Sequence, residues 1–72
     1  MASDHPGYYR IASLERGVHI LDLLSRHGTM TLTAVAKALN EDRSVCHRAL
    51  LTLRDLGLVH QPGGHGYGLT MH

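Results

Sequence analysis

From Ser13 to Gly57 apolar side chains recur every three or four residues, and beyond Gly57 they alternate with polar ones. The chain therefore changes from a helical to an extended period at one place. In the first helical stretch Leu14, Val18, Leu21 and Leu24 form a stripe that Ile20 and Leu23 widen. Ser13 is the expected N-cap, and Gly28 the stop after His27. Ile11, just outside that cap, is placed to staple against Gly17 or Val18. With Thr31 as cap, Leu32, Val35, Ala36 and Leu39 make a second face about two turns long, which Asn40 is suited to end in a left-handed conformation. Asp42 is the expected cap of a third helix. Its inward stripe is Cys46, Ala49, Leu50, Leu53 and Leu56, and its outward face Ser44, Val45, His47, Arg48, Leu51 and Thr52.

In the last part, Leu58-Val59-His60-Gln61 reads as a short strand, Pro62-Gly63-Gly64-His65 as a turn, and residues 66–70 as the returning strand. So many glycines leave the register loosely specified and the tip mobile until something binds it. Two helices on either side of the break Asn40-Glu41-Asp42-Arg43 are laid out as a helix-turn-helix. With the first helix and the hairpin, the expected fold is mainly α with a small β-hairpin: a winged helix-turn-helix of three helices plus a wing. Residues 1–10 mix Gly, Pro, Ser and Tyr and read as an arm, leaving 11–72 as the domain.

Composition narrows the function classes. A chain of 72 residues holds one domain, buries only about 60% of its unfolded surface, and has an expected stability of about 3–5 kcal/mol. With neither Trp nor Phe, its core must be aliphatic, which favours packed helices. One cysteine, Cys46, excludes an intramolecular disulfide and suits a reducing compartment. No apolar run approaches the ~20 residues of a membrane span, and residues 1–9 carry no signal-peptide pattern, so the expectation is a soluble cytoplasmic protein. Net charge is only +1 with His neutral, so a nucleic-acid role rests on where the cations lie. Six of the seven are Arg, the side chain suited to bidentate phosphate and guanine contacts.

Those contacts have named candidates. Arg43 and Arg48, near the start of the third helix, can bind phosphate or guanine O6/N7; their alternative role is as solvated surface charge. Ser44 can hydrogen-bond phosphate in the positive first turn, or simply stabilise that turn. Val45 can touch a thymine methyl and His47 a base edge or phosphate, with half-buried packing as the rival for both. Thr31 can offer its hydroxyl to phosphate or serve as a cap alone. His65 is the candidate at the wing tip, and Tyr9 and Arg10 lie in the arm where they can reach toward DNA. No cofactor or metal is expected: His5, His19, His27, His47, His60, His65 and His72 show no paired ligand spacing, and Cys46 falls on the inward stripe. No glycine loop joins strand to helix, no acids pair in a cleft, and the volume is too small for a substrate pocket, so an enzyme is not expected.

The runs Ser-Leu-Glu-Arg-Gly at 13–17, Leu32 to Leu39, Ser-x-x-His-Arg at 44–48 and Leu56-Gly57-Leu58-Val59 occur in order and at the right separations. In these the chain resembles, over residues 10–70, the amino-terminal DNA-binding domain of isocitrate lyase regulator (IclR) type transcription factors. The resemblance implies a bacterial regulator that binds operator DNA as a dimer, with a separate carboxy-terminal domain sensing a small organic effector. It also implies a role for the first helix in pairing, for which Ile20, Leu23 and Leu51 are the candidate contacts. Ending at His72, the chain is expected to be the isolated DNA-binding part of a longer protein. It departs from the family pattern at Glu41, where a hydrophobic residue is usual, at Asp42, where proline is common, and at Gly68, where a basic residue often follows the wing tyrosine. Those departures and the low net charge keep a second function open, a winged helix that docks on proteins or dimerises without touching nucleic acid. Ser44, His47 and Arg48, which interrupt the apolar outward face, favour DNA.

Overall fold

A computed structural model describes residues 10–70. Its elements in chain order are α1 (Ala12–His27), α2 (Leu32–Leu39), α3 (Arg43–Asp55), β1 (Val59–His60), a 3₁₀ turn (Pro62–Gly64) and β2 (Gly68–Leu69). Three helices are thus followed by a two-stranded antiparallel hairpin, with Val59 opposite Leu69 and His60 opposite Gly68. This is the winged helix that the change of period predicts. The arm assigned to residues 1–10, Tyr9 included, lies outside the described residues except for Arg10.

Local chemistry explains the boundaries. Glu15 in the first turn of α1 and Arg26 and His27 in its last complement the helix dipole. Gly28 closes α1 at φ 79° and Gly57 follows α3 at φ 82°, a region that L side chains avoid. Thr31 caps α2 as expected, its Oγ1 accepting from Ala34 N at 3.1 Å, and Asn40 ends that helix left-handed at φ 56°, ψ 47°. Ser13 is not the cap of α1. The helix starts two residues earlier, with Ile11 at the N-cap position and no side-chain cap bond. Asp42 occupies the N-cap position of α3 but contributes only its backbone carbonyl, which accepts from Cys46 N at 3.0 Å.

The core is Ile20, Leu24, Val35, Ala36, Cys46, Leu50, Leu53, Val59 and Tyr67, so each helix and both arms of the wing contribute to one cluster. The stripe of α1 is rotated from its expected position, whereas that of α3 is buried as expected from Cys46 to Leu53. Ile20 and Leu24 carry the burial of α1, whereas Leu14 (63% exposed) and Val18 (55%) face solvent; Leu56, at the C-cap of α3 and 68% exposed, does the same. Ile11 is also exposed, so no staple to Val18 forms. Periodicity assigned these leucines inward because it marks an apolar arc without saying how much of that arc a partner covers.

The wing is pinned, contrary to the loose register its glycines suggest. Tyr67 is buried, and it exchanges two backbone hydrogen bonds with Met30 in the α1–α2 connector, N to O at 2.9 and 2.7 Å. Gly66 and Gly68 are buried beside Thr29. A Cβ on Gly68 would lie 3.2 Å from Thr29 Oγ1 and 3.7 Å from the His60 ring, so a side chain at this position would press on Thr29.

Candidate nucleic-acid interface

The helix-turn-helix joint is built by backbone bonds. Asn40 N donates to the Lys37 carbonyl at 3.2 Å and Glu41 N to that of Ala36 at 3.0 Å, after which Asp42 starts α3. Cys46, Leu50 and Leu53 are buried and hold α3 against the other helices, so the side of α3 turned away from them is held rigidly toward solvent. That side carries Ser44 and Arg48, both exposed, with Leu51 half-buried, and Arg43 is exposed at the helix start. Thr52 Oγ1 bonds back to the Arg48 carbonyl at 3.0 Å, leaving the Arg48 side chain out of that bond.

The other candidates spread out from this centre. Val45 is half-buried and turned toward α1, lining a groove with Leu14, Val18 and Ala49, which strengthens its packing role. His47 is half-buried on α3. Thr31 stands at the far end of α2, eight residues or about 12 Å of helix from the joint, and its hydroxyl oxygen already accepts the Ala34 amide. Next to Thr31, Met30 is bridged to the wing, and His65 is exposed at the wing tip. Arg10 pairs with Glu15 at the start of α1.

Charge is sorted by ion pairing in a way that the net value conceals. Arg10, Arg16 and Arg26 are matched by Glu15, Glu41 and Asp22 respectively. Lys37, Arg43, Arg48 and Arg54 have no acidic partner among the described residues, and all four lie on α2 and α3, which also carry the acids Asp42 and Asp55 at the ends of α3. Arg54 is tied instead to Gln61 Oε1 at 3.3 Å, joining the end of α3 to the wing. Sequence reading passed over Lys37 because spacing does not reveal which cations have partners from other helices.

Cys46 is chemically quiet. Burial first, then Glu41 and Asp42, push its thiol above the usual range, and Arg16 only partly opposes them. Among the described residues no three His, Cys, Asp or Glu side chains come together to hold a metal ion. No helix among them is long and apolar enough to cross a membrane.

One apolar feature lies beside this face. An open groove of about 650 Å³ runs between α1 and α3, lined by Leu14, Val18, Leu21, Leu53, Leu56 and Leu58, with Arg48 at its edge toward the outward side of α3. Ile20, expected to be a pairing contact on α1, is fully buried and cannot be one; Leu14 and Val18 hold the exposed positions.

Comparison with known proteins agrees with this geometry. The family model of the IclR helix-turn-helix domain matches residues 13–63. Among solved structures, an IclR transcriptional regulator from Alicyclobacillus acidocaldarius superposes with a TM-score of 0.80 at 33% identity, covering 88% of this chain and 26% of that one. The chain thus spans about a quarter of that regulator's length. A Zalpha domain of Carassius auratus PKZ, solved in complex with Z-DNA, superposes with a TM-score of 0.76 at 22% identity over 83% of this chain and 100% of its own, and shares the winged fold. Among curated proteins none matches the chain.

Proposed function

Because the chain belongs to the IclR helix-turn-helix family, we propose that it is the sequence-specific DNA-binding domain of a bacterial, cytoplasmic transcriptional regulator. In this reading α3 enters the major groove and the wing rests on the adjacent backbone. The observation that carries it is the contrast between the two sides of α3. Cys46, Leu50 and Leu53 lock one side into the core, while Ser44 and Arg48 with Arg43 present donors on the other, and the cations without acidic partners among the described residues gather on α2 and α3. Arg48 and Arg43 contact phosphate or guanine, Ser44 phosphate, and His47 a base edge or phosphate from the flank of the helix. Thr31 and His65 offer backbone contacts at either side of the groove, and Val45 packs first and touches DNA second.

The test is a fluorescence-anisotropy titration of labelled duplex DNA at several salt concentrations, with Arg48→Ala beside the wild type. Steep weakening with salt, a loss of about tenfold or more for the variant, and a salt slope smaller by about one are expected. A folded wild-type chain that fails to bind at low salt refutes the reading.

A single recognition helix reads only a few base pairs, so useful specificity calls for two copies on two half-sites. The groove between α1 and α3 supplies a surface for a second copy. Leu14, Val18, Leu56 and Leu58 stand exposed around it, and an isologous contact would bury them in both copies at once. Val18→Glu should then lower the sedimentation mass to that of a monomer with helicity unchanged. A wild type that is monomeric at high concentration contradicts the pairing. The same groove is what favours the docking reading, in which the DNA titration is flat and the apolar face alone is functional.

A further inference from the structure

Arg16 is a cation on α1, outside the proposed DNA-facing residues, yet it is bound into the joint that positions them. Its side chain is only 20% exposed, its Nε is sealed from solvent without a hydrogen-bond partner, and its Nη2 lies 3.6 Å from Glu41 Oε2. Glu41 belongs to the turn that starts α3, and its side chain faces a small recess lined by Ala12, Glu15, Arg16, His19 and Leu39. Arg16 also lines the groove that Val45 and Ala49 of α3 line, so this one residue borders both the turn and the flank of α3. A half-paired guanidinium is costly to bury, and surface packing alone would be served by an aliphatic residue.

We propose that Arg16 is a positioning residue for DNA binding, holding the Glu41 carboxylate back against α1 so that phosphate meets one uncompensated acid at the start of α3 instead of two. The proposal rests on the DNA-binding reading above. With Arg16 in place, the turn is tethered to α1 and the Glu41 charge is neutralised. Without it, the carboxylate is released beside Asp42 and Arg43 and repels the phosphate backbone. Glu41, a departure from the family pattern, and Arg16 then function as a pair.

The test compares wild type, Arg16→Gln, Glu41→Gln, the double variant, Arg16→Lys and Arg26→Gln by anisotropy on one duplex, with circular dichroism to check folding. Arg26 pairs with Asp22 far from the joint, and its variant controls for the loss of one positive charge. Arg16→Gln should weaken binding about three- to tenfold, the double variant should return to within about twofold of wild type, and Arg16→Lys and Arg26→Gln should also stay within about twofold. A double variant as weak as Arg16→Gln, or an equal loss in Arg26→Gln, overturns the proposal. If Arg16→Gln does not fold, Glu41→Gln decides: it sheds an acid and should bind at least as tightly as wild type, and weaker binding overturns the pairing argument. A folded wild type that does not bind removes the DNA reading and this proposal with it.

Discussion

Alanine at Gly66 would place a Cβ inside the contact distance of Thr29 Cγ2 and 3.3 Å from the Met30 carbonyl oxygen. Gly66 is not at positive φ, so alanine meets no backbone penalty there and the cost is steric. Rotating the exposed Thr29 side chain clears the methyl but leaves the Met30 carbonyl oxygen tight against the new Cβ, and otherwise the wing must move away from the α1–α2 connector. That motion stretches the paired Met30–Tyr67 bonds of 2.9 and 2.7 Å and opens the site where Tyr67 is 4% exposed. Overpacking of this kind costs about 1–3 kcal/mol. For a domain of this size each kcal/mol shifts the melting midpoint by about 4–8 °C, so Gly66→Ala should melt roughly 5–20 °C below wild type. Thr29→Ser removes the offending methyl and keeps the hydroxyl. Thermal denaturation of both single variants and the double should therefore show the loss in Gly66→Ala largely recovered in the double, a favourable coupling of about 1 kcal/mol or more. A midpoint unchanged within about 2 °C, or a double variant no better than Gly66→Ala, would refute the claim that close approach at Thr29 docks the wing.

Two further expectations follow from the helix ends and from the buried thiol. Thr31→Ala removes the acceptor for Ala34 N and should cost about 0.5–2 kcal/mol in urea denaturation, whereas Ser13→Ala, which removes no cap bond, should be neutral or slightly stabilising; equal losses would restore Ser13 as a cap. Cys46 stays protonated in the fold at pH values where the unfolded thiol ionises, so the unfolded state binds fewer protons there. Stability that is fully present below about pH 8.5 is then lost as pH rises toward the raised value of the folded thiol. The midpoint should fall more steeply above about pH 8.5 in wild type than in Cys46→Ala, and parallel profiles would contradict the assignment.

Where the chain carries local information, the sequence is readable residue by residue. Thr31 caps, Asn40 turns left-handed, Gly28 and Gly57 stop helices, and the change from a period of three or four to a period of two marks the start of the wing. These are one-residue or one-turn effects, decided by hydrogen bonds and φ within a few positions. The inward stripe of α3 was readable from Cys46 to Leu53 for the same reason and failed at Leu56, where coverage depends on what other elements reach.

The interface was legible in part. That Ser44 and Arg48 share the outward side of α3 follows from helical spacing once the buried stripe is known. That Val45 turns toward α1 and that a Cβ on Gly68 would press on Thr29 depends on neighbours far along the chain. Composition reports a net charge of +1; the i,i+4 spacing of Asp22 and Arg26 is readable along the helix, but only the three-dimensional arrangement shows that Arg16 is spent on Glu41.

By itself, then, the order of residues determined the number of helices, their limits to within a residue or two, the turn between α2 and α3, and the family. All of these rest on short-range periodicity, caps and motif spacing. Tertiary structure alone decided how far each stripe is rotated into the core, which leucines remain exposed along the α1–α3 groove, and how tightly the wing is held to Thr29 and Met30. It also decided that Arg16 reaches Glu41 across 25 positions of the chain. Such pairings are set by packing between elements, and no periodicity along one element encodes the identity of its partner.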